Sequence, residues 1–222
     1  MPGPEPESAR SPRQRELIAV AARLFAQRGY HAVGINDISG ELGLTGPAFY
    51  RHYPSKEALL IAVLDDAISS HLEEVGDLVS SISDPLQTLT AIVDHHIDFV
   101  FDQTENIMTW RTEFRILPET DRHRLRYLQR LYTEEWVRAL RQIRPELDIE
   151  QVRTMCHAAI AMLQSPTEFH NRLPREDVSP ILASMVMGSL MSAKVTALSV
   201  PRVDKRRSRP GRSDVSSIAA SS

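Results

Sequence analysis

Apolar residues return every three or four positions along almost the whole chain, and nowhere do they alternate with polar ones. A period near 3.6 is that of a helix with one buried face, whereas a half-buried strand needs a period of two. The chain is therefore restricted to an all-α fold. Pro, Gly, Ser and Asp mark the short breaks between periodic stretches, and these breaks divide it into nine predicted helices, three in front and six behind. At 42% hydrophobic residues there is enough apolar material for a sizeable core. No internal repeat at a solenoid period is present.

The first helix starts at Ser11-Pro12-Arg13-Gln14, a capping box with proline at the first helical position. Leu17, Ile18, Ala21, Leu24 and Phe25 form its apolar face, and Gly29 is suited to stop it. A short helix is predicted over about 35–42, with Ile35, Ile38 and Leu42 on one side. Gly43-Leu44-Thr45 is a three-residue turn, Thr45 is placed to cap a second short helix over about 46–52, and Pro54 closes it. Ser55 then caps a long helix whose buried side carries Leu59, Leu60, Val63, Leu64, Ala67, Ile68, Leu72 and Val75. Two short helices across such a turn form a helix-turn-helix, whose second helix can enter the major groove of DNA.

The residues sharpen this reading. Ile35-Asn36-Asp37-Ile38, followed by Gly43 through Leu60 with Tyr50-Arg51-His52-Tyr53 leading into Lys56, resembles the signature of the tetracycline-repressor (TetR) family. The resemblance is specific over roughly residues 11–71. It implies a nine-helix, two-domain regulator. A DNA-binding domain would span 11–71, with the helix-turn-helix at about 34–53, and a six-helix ligand-binding and dimerisation domain would span 72–200. Residues 1–10 and the Ser/Arg-rich stretch 201–222 are expected to be disordered.

Chemistry supports that role for the front residues. Thr45 offers a hydroxyl to a phosphate or base edge, and Gly46 lets backbone approach closely. Pro47 and Ala48 suit a thymine methyl. Tyr50 and His52 can each donate to phosphate oxygens, Arg51 and Lys56 bring charge, and Asn36 adds a polar group. Phe49 and Tyr53 face the other way, into the core. Two places depart from the family pattern: Val33-Gly34 stand where a hydroxyl residue usually touches phosphate, a contact for which Asn36 is the candidate replacement, and Gly46 stands where a basic or polar residue is usual.

For the rear helices the resemblance implies an effector pocket and a twofold interface. Aromatic and aliphatic candidates for the pocket wall are Ile97, Phe101, Trp110, Phe114, Leu128, Tyr132 and Trp136, an array equally suited to plain core. His96 falls on the apolar side of its helix, as a hydrogen-bonded core histidine or a polar group of the pocket. Arg111 and Arg115, one turn apart, suit an anionic group or solvent and acidic partners. Arg122, Arg126 and Arg130 read as a solvated helix face, with Arg130 and Glu134 as an i,i+4 pair. The last helix, about 177–199, is apolar over more than one face, so a second copy is expected against Met155, Ala159, Leu182, Met185, Ser189 and Ser192. A twofold dimer would favour a near-palindromic operator, its half-sites about 34–36 Å apart or a multiple of the helical turn. The effector expected is an amphipathic acid such as an acyl-coenzyme A derivative, or a neutral hydrophobic compound, and its binding is expected to release DNA.

Charge distribution fits the same division. Residues 1–56 carry seven Lys/Arg against five acids, residues 57–200 carry 13 against 22, and residues 201–222 carry six against two. A polyanion would be tolerated at the front and repelled by the middle. The single cysteine, Cys156, can form neither an intrachain disulfide nor a thiolate metal cage. Neighbouring His95 and His96 point about 100° apart on a helix and cannot share one metal, so neither metal nor cofactor is expected. No phosphate-cradling Gly loop, HExxH or nucleophile elbow is present, which argues against an enzyme. With no signal-peptide pattern and no apolar run near the roughly 20 residues of a membrane span, a cytoplasmic protein is expected.

Overall fold

Helix ends in this chain are written into its sequence, and the computed structural model, which describes residues 10–167 and 173–192, realises them. Among those residues there are nine α-helices and no strand: α1 (Pro12–Arg28), α2 (Ile35–Glu41), α3 (Gly46–Tyr50), α4 (Lys56–Ser81), α5 (Pro85–Asp102), α6 (Thr104–Glu113), α7 (Glu119–Ile143), α8 (Ile149–Gln164) and α9 (Arg175–Met191). The Ser11 hydroxyl accepts the Gln14 amide, and the Gln14 side chain accepts the Ser11 amide at 2.8 Å. Asp148 and Gln151 repeat this box at α8. Ser55 and Asp84 cap α4 and α5 by accepting the amides of Ala58 and Gln87. Such caps satisfy amide groups that the first helical turn leaves open.

Several expectations shift by a turn or less. The stretch after Glu113 tightens into a 3-10 turn, Phe114–Ile116, so the predicted helix to 116 ends early. Helix α9 begins at Arg175, placing Asp177 in its first turn, where an acid suits the helix dipole, instead of at the cap. Its predicted extension to 199 lies beyond the described residues, as does the tail from 201. Arg10, expected in a disordered N-terminus, is buried: it pairs with Asp66 and, at 3.1 Å, with Asp65, which also takes Arg124 of α7 at 2.5 Å. A guanidinium placed between two carboxylates overrides the polar composition around it.

Residues up to Met191 form one compact unit with two apolar clusters. The first joins α1, α2, α3 and the start of α4 around Leu17, Leu24, Ile38, Phe49, Leu59 and Leu64, and is closed from behind by Leu117 and Leu125. The second gathers Leu89, Ile92, Val93, Trp136, Leu140, Val152, Leu163, Val186 and Leu190 from α5, α7, α8 and α9. Helix α4 belongs to both, with Leu59–Leu64 in the first cluster and Val75 in the second.

Candidate nucleic-acid interface and internal cavity

The two short helices are held by their inner faces, which frees their outer faces. Ile38, Ala48, Phe49 and Tyr53 are buried. Gly43 makes the turn with φ +62°, a left-handed conformation that favours glycine. Outward from this platform stand Asn36, Thr45, Pro47, Tyr50 and Arg51, all exposed, with His52 half-buried beside them. Tyr50 is 55% exposed and its ring is braced edge-on by Phe49, centroids 5.5 Å apart. The Thr45 hydroxyl makes no capping bond, contrary to expectation, and so is available to an outside acceptor.

Lys56 has a structural duty that its place in the motif does not reveal. Its ammonium donates to the carbonyl oxygens of Tyr30 and Val33, at 2.9 and 2.8 Å, and lies 4.3 Å from the centre of the Tyr30 ring. It therefore ties the α1–α2 connection to α4. The two unusual glycines differ. A Cβ on Gly46 would meet only Asn36 Oδ1, at 3.7 Å, whereas one on Gly34 would come within 3.2 Å of the Asp37 carboxylate. That carboxylate already accepts the Gly34 amide at 2.6 Å.

Behind the platform, α4 to α8 enclose a cavity of about 960 Å³. Ala67, Ile68, Phe99, Ile107, Trp110 and Ile160 supply apolar wall, and Arg111, Arg126, Arg130 and Arg153 line it with charge. Arg153 is paired with Glu134 at 3.1 Å, so the expected Arg130–Glu134 pair is not formed. Arg130 rests over the Tyr127 ring and has no carboxylate within ion-pair distance among the described residues. Arg126 and Arg130 thus line the cavity instead of forming only a solvated face.

Of the residues expected in a pocket, His96, Trp110, Arg111 and Tyr132 line this cavity, while Phe101, Phe114 and Arg115 do not. Phe114 stacks on Trp110 at 4.7 Å, and both pack against the front cluster. Trp136 is core at 0% exposure. The residue that sequence reasoning missed is His71. It follows Ala67 by four positions and precedes Val75 by four, so it lies on the buried stripe of α4, a signal that was present in the spacing. Nδ1 of His96 accepts from the Tyr132 hydroxyl at 2.7 Å and meets Nε2 of His71 at 3.3 Å. Burial pushes His71 down to about 2, with His96 and His95 adding to it, and pushes His96 down to about 3. Both imidazoles are neutral at physiological pH. Burial likewise raises the Tyr132 phenol, which stays protonated.

On α8 and α9, Ala159 and Leu182 are buried in the chain's own core, at 1% and 7% exposure, so they are not free to meet a second copy. Their neighbours are: Ala158 and Ala161 on α8, and Ile181, Ser184 and Met185 on α9, are exposed. Met155 is half-buried, and Ser189 and Ser192 are exposed.

A helix-turn-helix platform is thus joined through one long helix, α4, to a cavity-bearing helical body. Residues 17–63 match the family described as bacterial regulatory proteins, tetR family. The chain is 33% identical over 91 residues to the HTH-type transcriptional activator FasR of Mycolicibacterium smegmatis, covering 41% of this chain and 42% of FasR. It is 29% identical over 133 residues to the HTH-type transcriptional repressor KstR2 of Rhodococcus jostii, covering 60% of this chain and 64% of KstR2. Each match thus spans less than two thirds of the relative. The fold matches that of AibR, solved in complex with isovaleryl coenzyme A and operator DNA, with a TM-score of 0.68 and 22% identity over 78% of this chain and 97% of AibR. Among the described residues no helix is long and apolar enough to cross a membrane.

Proposed function

We propose that this protein is a transcriptional regulator that binds a near-palindromic operator as a homodimer through α2 and α3. The observation that carries this reading is the outward row of Asn36, Thr45, Tyr50 and Arg51 on a platform whose inner face is fully buried. Exposed polar side chains on rigid short helices are what groove entry and phosphate contact require. The second copy would sit on the small and apolar groups exposed along α8 and α9, chiefly Ala158, Ala161, Ile181 and Met185.

The effector is an amphipathic acid. Apolar wall and neutral histidines would take its body, and Arg130 with its neighbours would take its anionic head. That AibR, of the same fold, is solved with an acyl-coenzyme A supports this chemistry. Binding would favour one of two dimer geometries and release DNA, which is repression relieved by ligand. The activator FasR keeps the opposite sign as a second reading.

The test is an electrophoretic shift with DNA from upstream of the protein's own coding sequence, with and without palmitoyl-coenzyme A. A specific shift that palmitoyl-coenzyme A reverses is the expected result. No specific shift at any salt concentration would overturn the DNA-binding reading. A shift indifferent to palmitoyl-coenzyme A but reversed by a neutral hydrophobic compound would overturn the acid.

A further inference from the structure

His71, Glu74 and His95 form a group that the regulator reading leaves unused. His71 and Glu74 stand one turn apart on α4, and His95 faces them from α5. One ligand atom from each lies within 4.8 Å of the other two. Nε2 of His95 is 3.3 Å from the Glu74 carboxylate. In a tetrahedral site with bonds of about 2.0–2.1 Å, donor atoms are separated by about 3.3 Å, so this edge already has the required length. Glu74 is largely exposed and His95 only partly covered, so both can swing the short distance that remains, while buried His71 stays fixed.

Two imidazole nitrogens of this group also lack a hydrogen-bond partner. Nε2 of His71 faces His96, which leaves Nδ1 of His71 buried with no partner. Nε2 of His95 is also buried without a hydrogen-bond partner, its approach to Glu74 being badly aligned for one. Buried polar atoms are almost always satisfied, so two vacant imidazole nitrogens beside one carboxylate need an account. Burial holds His71 neutral, the form that coordinates a metal. A ligating imidazole is usually oriented through its second nitrogen, and Nε2 of His71 lies 3.3 Å from Nδ1 of His96.

We propose that His71, Glu74 and His95 bind a divalent transition metal such as Zn²⁺ where α4 meets α5. Two imidazoles and one carboxylate suit zinc, cobalt or nickel, and a single carboxylate is too little for calcium or magnesium. Water on the Glu74 side completes the coordination. His71 also lines the cavity, so the metal would lock α4 to α5 at the wall where an effector acts. This inference does not depend on DNA binding.

The experiment is titration of the full-length chain, first stripped with a chelator, with Co²⁺ read by its visible absorption and with Zn²⁺ read by calorimetry. One metal per chain with the spectrum of a low-coordinate nitrogen–oxygen site is expected. His95→Gln and Glu74→Gln, both at partly open positions, should each weaken binding at least about tenfold while leaving the metal-free melting temperature unchanged. His96→Asn should weaken it about 10–100-fold through loss of the ring that orients His71. Saturating Zn²⁺ should raise the melting temperature of the parent protein and not of His95→Gln. Absence of binding at micromolar metal, or binding that His95→Gln and Glu74→Gln leave intact, would overturn the proposal.

Discussion

The front and rear of this chain bury polar groups differently. In the front cluster Leu17, Leu24, Ile38, Phe49, Leu59 and Leu64 are sealed, Lys56 spends two donors on backbone carbonyls, and buried Arg10 is paired with Asp65 and Asp66. The buried Ser39 Oγ has no partner there. In the rear, Nδ1 of His71, Nε2 of His95, Nε2 of His96 and Nε1 of Trp136 all lack one, and they gather beside a cavity. The front is a platform whose exposed polar groups point outward. The rear keeps hydrogen-bonding capacity inside. If the rear takes the proposed effector, that unspent capacity is free energy to be gained on binding.

The joint between the two regions gives the strongest test. Arg10 and Asp65 have side chains only 3% and 4% exposed, and Arg124 completes the group from α7. Removing Asp65 leaves Arg124 without this carboxylate and Arg10 with Asp66 alone, so Asp65→Ala should cost about 3 kcal/mol, the low end for a broken buried pair, measured by thermal or urea unfolding. Replacing Asp65, Arg10 and Arg124 together with apolar residues of similar volume should recover most of that loss. A cost below about 1 kcal/mol for Asp65→Ala would mean that the pair does not hold front to rear.

Filling the cavity separates sensing from reading. Ala67 lines it from α4. Ala67→Trp should weaken palmitoyl-coenzyme A binding by about 2 kcal/mol, roughly 30-fold, as judged by calorimetry. Operator affinity without effector should stay within about twofold. A parallel loss of DNA binding would show the two regions to be a single rigid device. On the outward face the dependence reverses: Tyr50→Phe removes a hydroxyl from an exposed ring and should cost about 1.5 kcal/mol of operator affinity, as a lost bond to a charged phosphate. Its melting temperature should not move, since surface changes of this kind stay within about 0.5 kcal/mol.

Legibility followed the same division. The helices could be read because many of their ends have a local cause: Ser11 with Gln14, Gly43 at positive φ, Asp84, and Asp148 with Gln151. The outward face of the second short helix could be placed because Thr45 through Lys56 is one continuous stretch. The cavity could not, because five helices converge on it. No local pattern says that Arg126 and Arg130 line it, that Arg153 takes Glu134 from Arg130, or that His71 meets His96 across 25 residues. The stripe from Ala67 through His71 to Val75 held the missing clue, but a histidine there is as compatible with ordinary core as with a site. Burial on α8 and α9 was misjudged by a single position, Ala159 for Ala158 and Leu182 for Ile181, which on a helix is a turn of about 100°.

The smallest predicted effect has the opposite sign from the others. Gly46 opens α3 where a side chain would face outward, and an added Cβ would meet only Asn36 Oδ1 at an ordinary 3.7 Å. Gly46→Lys should therefore fold normally and add one phosphate contact. The expected gain is a few-fold in operator affinity at low salt, with the slope of log K against log salt steeper by about 1 per subunit, measured by fluorescence anisotropy over a salt series. Gly34→Lys is the matched control, because its Cβ would press to 3.2 Å on the Asp37 carboxylate that fastens the start of α2. There the new charge and the disturbed cap oppose each other, and little net gain is expected. Equal gains at both positions would mean that added charge anywhere on the front suffices, and that the platform's shape contributes nothing to how DNA is held.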